Sequence, residues 1–177
     1  MYLAPKINEA SAQNLIRQKK SLFFKKVKLE KAPLKRIELI YLPFFIFEAC
    51  LEKKAGDFSL LISVDALEGS PAFFKTELNT SAELPPNPVC EFIISSAVAE
   101  QVARDFCRGY ILEQGLRLKN QAQLKHIQLV QKLFYPFWVG YFQKGNKYDF
   151  KALDAIAGVV EGIRMRKVFL KAFRFLN

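Results

Sequence analysis

Apolar and polar positions alternate in two rhythms along this chain, one helical and one strand-like, and the rhythms come in the same order twice. Ala12, Leu15, Ile16 and Phe23 fall at helical spacing on one face. Asn8 is placed to cap that helix, with Glu9 in the first turn, where an acid suits the helix dipole. The period then shortens to two. Ile37 and Leu39 alternate with Glu38, so residues 34–41 read as a strand, and 44–53 and 58–65 as two more. Ala55-Gly56-Asp57 is the turn between the last two. Residues 71–75 read as a short fourth strand at an edge, where Pro71 is tolerated.

Residues 79–88, with Pro85-Pro86-Asn87-Pro88, interrupt the pattern as an extended linker. The rhythm then restarts. Ser95 or Ser96 caps a second helix with Ala99, Val102, Ala103, Phe106 and Tyr110 as its buried stripe. Residues 121–134 read as a strand, and 137–143 and 147–154 as a hairpin turning on Lys144-Gly145-Asn146. The last segment has no counterpart in the first half. A helix starting near Gly162 places Arg164, Lys167, Lys171 and Arg174 on one face. Met165, Val168, Phe169, Ala172, Phe173 and Leu176 fall on the other.

Short landmarks repeat along with the rhythm. Leu34–Ile40 matches Leu124–Val130, and Tyr41-Leu42-Pro43-Phe44 is echoed by Tyr135-Pro136-Phe137-Trp138. Val64-Asp65-Ala66-Leu67-Glu68-Gly69 is echoed by Leu153-Asp154-Ala155-Ile156-Ala157-Gly158. Landmarks in a fixed order predict a tandem duplication. The expected fold is α+β: two tandem units of a helix on an antiparallel sheet, related by pseudo-two-fold symmetry, with an added C-terminal amphipathic helix. The expected boundaries are 1–78 for the first unit, 79–88 for the linker and 89–177 for the second unit. The helix, the strands and the Val64-Asp65-Ala66-x-x-Gly69 turn resemble PepSY-type repeats. That resemblance implies a cystatin-like helix on a curled sheet, and modules that bind or inhibit peptidases, mostly outside the cytoplasm. It supplies no catalytic residues, and the Tyr-x-Pro-aromatic strand lies outside the family pattern.

Composition narrows the function classes. No apolar run approaches the length of a membrane span, and the first residues carry no export signal. Cys50, Cys90 and Cys107 are odd in number and match no metal spacing, so they read as reduced thiols in a cytoplasmic protein. The net charge of +10 is uneven. Nine basic residues and one acid, Glu30, lie between Arg17 and Arg36, and five basic residues and no acid lie in 162–177. Such surfaces attract nucleic acid, anionic lipid or an acidic protein.

Candidate chemistry is sparse. His126 stands alone, without partners at ligand spacing. Asp65 and Asp154 occupy equivalent turns. Brought together they would form an acid/base or cation pair, but each is also placed to cap its own turn. Tyr41, Phe45, Tyr135, Trp138 and Tyr141 form an aromatic set suited to a groove for a peptide or to a core. No catalytic motif, metal site or cofactor-binding loop is visible. The expected function is a non-enzymatic cytoplasmic adaptor that meets a protein or extended peptide through sheet edges or the groove between repeats. A second reading is nucleic-acid or anionic-membrane binding through 17–36 and 162–177. A third is an enzyme using the paired Asp turns. A second copy of the chain is a further candidate partner.

Overall fold

The computed structural model describes residues 1–18, 32–53, 56–78, 80–81, 85, 89–118 and 122–176. Most of the basic stretch 17–36 and of the linker 79–88 lies outside them. The protein is α+β. Helices α1 (Glu9–Gln18), α2 (Ser96–Leu118) and α3 (Ile163–Leu176) accompany a mixed sheet. Its strands are β1 (Tyr2–Leu3), β2 (Leu34–Lys53), β3 (Gly56–Asp65), β4 (Pro71–Phe73), β5 (Thr80–Ser81), β6 (Gln123–Lys144) and β7 (Lys147–Asp154). The caps form as the side chains dictate. Asn8 Oδ1 accepts from the Ser11 amide at 2.9 Å, and Ser95 Oγ from the Val98 amide at 3.3 Å.

The two strands expected on either side of Pro43 are one strand, and so are those around Pro136. A proline inside a strand costs a ladder bond only where its N–H is needed. The ladder of β2 with β3 ends at Phe44↔Asp65, and that of β6 with β7 at Phe137↔Asp154. Each proline stands one residue beyond. Its carbonyl still accepts, Pro43 from Ala66 N at 2.9 Å and Pro136 from Ala155 N at 3.2 Å.

The compact units are not the two halves of the chain. Residues 1–42, 79–90 and 134–177 form one, the α1 unit, and residues 43–78 and 91–133 form the other, the α2 unit. This differs from the expected division at 79–88 because β2 and β6 each contribute to both units. Helices α1 and α2 also take their seats on strands from the opposite half of the sequence.

In the α1 unit, Ala12 and Ile16 of α1 are buried with Trp138, Phe142, Leu153 and Ala155. The amides of Lys6 and Ile7 donate to Ala155 O at 2.9 and 2.8 Å, and Trp138 Nε1 donates to Ile7 O at 2.7 Å. Alternate residues of β6 point to the opposite face, where α3 packs. The Phe169 ring meets Phe137 at 5.3 Å and Phe150 at 6.0 Å. Parallel β1 joins β6 at Phe134 and pairs with β5 on its other side.

In the α2 unit, Ala99, Ala103 and Cys107 of α2 bury Phe45, Phe47, Ala49, Leu51, Ile62 and Val64. The amides of Ile93 and Ile94 donate to Ala66 O, both at 3.0 Å. The opposite face of β2 stays apolar at Phe44 and Ile46, then turns polar at Glu48 and Glu52.

Candidate functional site

The two units finish their outer strands differently. In the α2 unit, β4 pairs with β3 only from Ile62 to Val64, and the Phe74 amide adds a bond to Leu61 O at 2.8 Å. Asp65 N donates outward to Ser70 O at 3.2 Å. Odd-numbered residues of β3 therefore aim their backbone groups away from β2. By the same alternation the N–H and C=O of Ser59 and Asp57 face outward. Among the described residues, no strand pairs with that stretch. A pocket of about 310 Å³ opens beside it, lined by Ser59, Leu60, Phe73, Phe74, Lys75 and Tyr110. The Phe73 ring packs against Phe106 at 4.9 Å and Tyr110 at 5.0 Å, which makes one wall aromatic.

In the α1 unit the corresponding edge of β7 is closed. Asp154 N donates to Val159 O at 2.9 Å, and Glu161 N to Ala152 O at 2.8 Å. Arg166 Nη1 donates to Phe150 O at 3.2 Å while Nη2 pairs with Asp149 at 2.7 Å. The guanidinium lies over the Phe150 ring, 4.5 Å from its centroid.

The turn carboxylates are occupied. Asp65 is buried, and its oxygens accept from the amides of Leu67, Glu68 and Ser70 at 3.1, 2.7 and 2.6 Å. Asp154 Oδ1 accepts from Ile156 and Ala157, both at 2.8 Å, and the Tyr135 hydroxyl donates to the same carboxylate at 2.9 Å. Gly69 and Gly158 close these turns at φ of 75° and 66°, a region glycine enters without strain.

The aromatic candidates divide. Tyr41 and Phe45 are each 1 % exposed and lie in the interior, so they offer no groove surface. Tyr135 and Trp138 are buried, with their polar atoms bonded to Asp154 and Ile7. Tyr141 is half-buried in a cleft of about 780 Å³ in the α1 unit, where its hydroxyl donates to Glu38, which also pairs with Arg36. Burial, and then the Glu38 bond, push the Tyr141 phenol upward, so it stays protonated.

Burial pushes the Cys90 thiol up to about 11 and raises Cys107 as well, which removes thiolate character from both. His126 is exposed. Among the described residues, no group of three or more His, Cys, Asp or Glu side chains is placed to hold a metal ion. No helix among them is long and apolar enough to cross a membrane.

On α3, Arg164, Lys167 and Arg174 are exposed and Lys171 is half-buried, while Val168, Phe169 and Ala172 are buried. Sequence reasoning missed the open stretch of β3 and the Phe73–Tyr110 pocket. The signal available was the shortness of the Pro71 strand beside a longer β3. It also missed Arg166, whose pinned position breaks the simple division of α3 into a basic and an apolar face.

Comparison with protein-family models, curated proteins and solved structures finds no match to this chain.

Proposed function

We propose that the chain is a non-enzymatic binding protein that takes an extended segment of a partner protein as an added strand along β3. The observation that carries this is the edge at Asp57–Leu60, which lacks a described strand partner and lies beside an aromatic-walled pocket. Main-chain bonds from Ser59 would supply affinity without sequence preference. The pocket would choose one apolar or aromatic side chain of the guest. The carboxylates an enzyme would need are already engaged by their own turns, and two of the three thiols are held protonated.

The same reading takes the fold as two copies of one cystatin-like unit whose helices have been exchanged. Matched details support it. The carbonyl of Ala66 receives Ile93 and Ile94, and that of Ala155 receives Lys6 and Ile7. Gly69 faces Ile94 and Val102, and Gly158 faces Ile7 and Leu15.

Random extended peptides displayed on phage and panned on the purified protein test the function. Ser59→Pro removes the outward N–H and no main-chain bond to β2, although it also removes the hydroxyl that meets Cys50 Sγ at 3.3 Å. The variant should keep its fold and lose the selected peptides, whereas Ser59→Ala, which loses only the hydroxyl, should retain them. An absence of enriched peptides, or peptides that bind the variant equally well, would refute strand addition at this edge. If light scattering finds a dimer that Ser59→Pro dissociates, the added strand is that of a second copy.

A further inference from the structure

The outer face of α3 carries two kinds of side chain, and together they select a partner. At about 100° per residue, Arg164, Lys167, Lys171 and Arg174 fall within an arc of about 80°. The helix contains no Asp or Glu. Arg166, its fifth basic residue, is turned away and held by Asp149 and Phe150. Three bulky apolar residues flank the basic arc. Ile163 and Leu170, 51 % and 49 % exposed, stand on one side, and Phe175, 53 % exposed, stands on the other. The inner face is spent on Phe137 and Phe150, so these three are surplus to the packing of the helix.

A nucleic acid would pair with the cations and gain nothing from Ile163, Leu170 and Phe175. An acidic protein surface would need apolar hollows at three matching points. An anionic bilayer satisfies both sets at once. Its headgroups take the guanidinium and ammonium groups, and the acyl boundary just beneath takes the apolar side chains.

We propose that α3 is a membrane-surface element that lies flat on an anionic bilayer, with its basic arc on lipid phosphates and carboxylates and Ile163, Leu170 and Phe175 inserted at the acyl boundary. The inference is independent of the β3 edge, which belongs to the other unit.

Sedimentation with phosphatidylcholine vesicles containing about 30 % phosphatidylserine tests it. The protein should pellet with these vesicles, not with pure phosphatidylcholine, and added salt should release it. Each cation contributes about five-fold to the partition coefficient, so Lys167→Glu with Lys171→Glu should weaken binding at least a hundredfold. Leu170→Ser with Phe175→Ser should weaken it about tenfold without changing the charge. Phe175→Trp places an indole at the interface, and its emission should shift to the blue on adding anionic vesicles. All substituted positions are exposed or half-buried, and unchanged thermal unfolding verifies that the fold survives.

Failure to pellet at low salt would overturn the proposal. So would binding to duplex DNA as tight as that to vesicles and indifferent to Leu170→Ser with Phe175→Ser, which would make the arc a nucleic-acid surface. Vesicle binding with no blue shift would remove the insertion and with it the bilayer reading.

Discussion

Glu161 sits in the segment that closes β7, and burial, reinforced by nearby Asp154, pushes its carboxyl up to about 7 from 4.5. A carboxyl raised on folding binds its proton more tightly in the native state. Its contribution is whole below pH 4.5 and is lost as pH rises toward 7, after which stability levels off. The loss is at most about 3 kcal/mol at 1.36 kcal/mol per unit. Urea midpoints measured across that window should fall for the natural protein and stay nearly flat for Glu161→Gln.

A second single-residue constraint lies under α1. A Cβ built on Gly140 would stand 2.9 Å from Leu34 Cδ1 and 3.0 Å from Ile16 Cγ2. Gly140→Ala should cost about 1–3 kcal/mol from overpacking, more than the roughly 0.5–1 kcal/mol that alanine gains in backbone order. Ile16→Ala vacates the space, so the double variant should be more stable than the sum of the two losses by at least about 1 kcal/mol. In the repeat reading the corresponding pair is Phe47 and Ala103, where the large residue is on the strand and the small one on the helix. Additive losses would show that α1 shifts to make room.

At the scale of elements, the edges of β3 and β7 behave as opposites. The segment before α3 and the Arg166 side chain occupy the outward carbonyls of β7, and a covered edge cannot template another strand. Arg166→Ala should uncover Phe150 O and leave Asp149 without its ion pair, keeping only the Phe150 amide at 2.8 Å. Sedimentation velocity should then show more concentration-dependent self-association than the natural protein does.

Most of the helices and strands were readable because side-chain period is a local property. Asn8 and Ser95 cap where expected, and the basic arc of Arg164, Lys167, Lys171 and Arg174 was drawn from spacing alone. Pro43 and Pro136 read as boundaries in the sequence yet lie inside β2 and β6, since whether a proline breaks a strand depends on whether a neighbour needs its N–H. Tyr41 and Phe45 were ambiguous for a similar reason: an aromatic side chain suits a groove and a core equally, and only burial separates them. The exposure of Ile163, Leu170 and Phe175 was also out of reach, because it depends on which residues of β6 and β7 receive the helix.

At the scale of the whole chain, the unit membership makes the halves interdependent. Residues 1–88 contain α1 but not Trp138 or Leu153, on which it closes, and residues 89–177 contain α2 but not Phe45 or Val64. Expressed apart, the fragments 1–88 and 89–177 should show no cooperative unfolding, and mixing them should restore it. A fragment of residues 43–133 holds the complete α2 unit and should melt cooperatively by itself. Cooperative melting of 89–177 alone would contradict this division. During synthesis the same arrangement imposes an order. The α2 unit has all its residues once position 133 has emerged, whereas α1, made first, must wait for the far half of β6 and for β7, through about Val160. At ordinary translation speeds the interval between residues 133 and 160 lasts roughly 1–5 s. Throughout it the apolar side of α1 lacks its complete seat, and a nascent chain in that condition is a natural client for a chaperone stationed at the ribosomal exit.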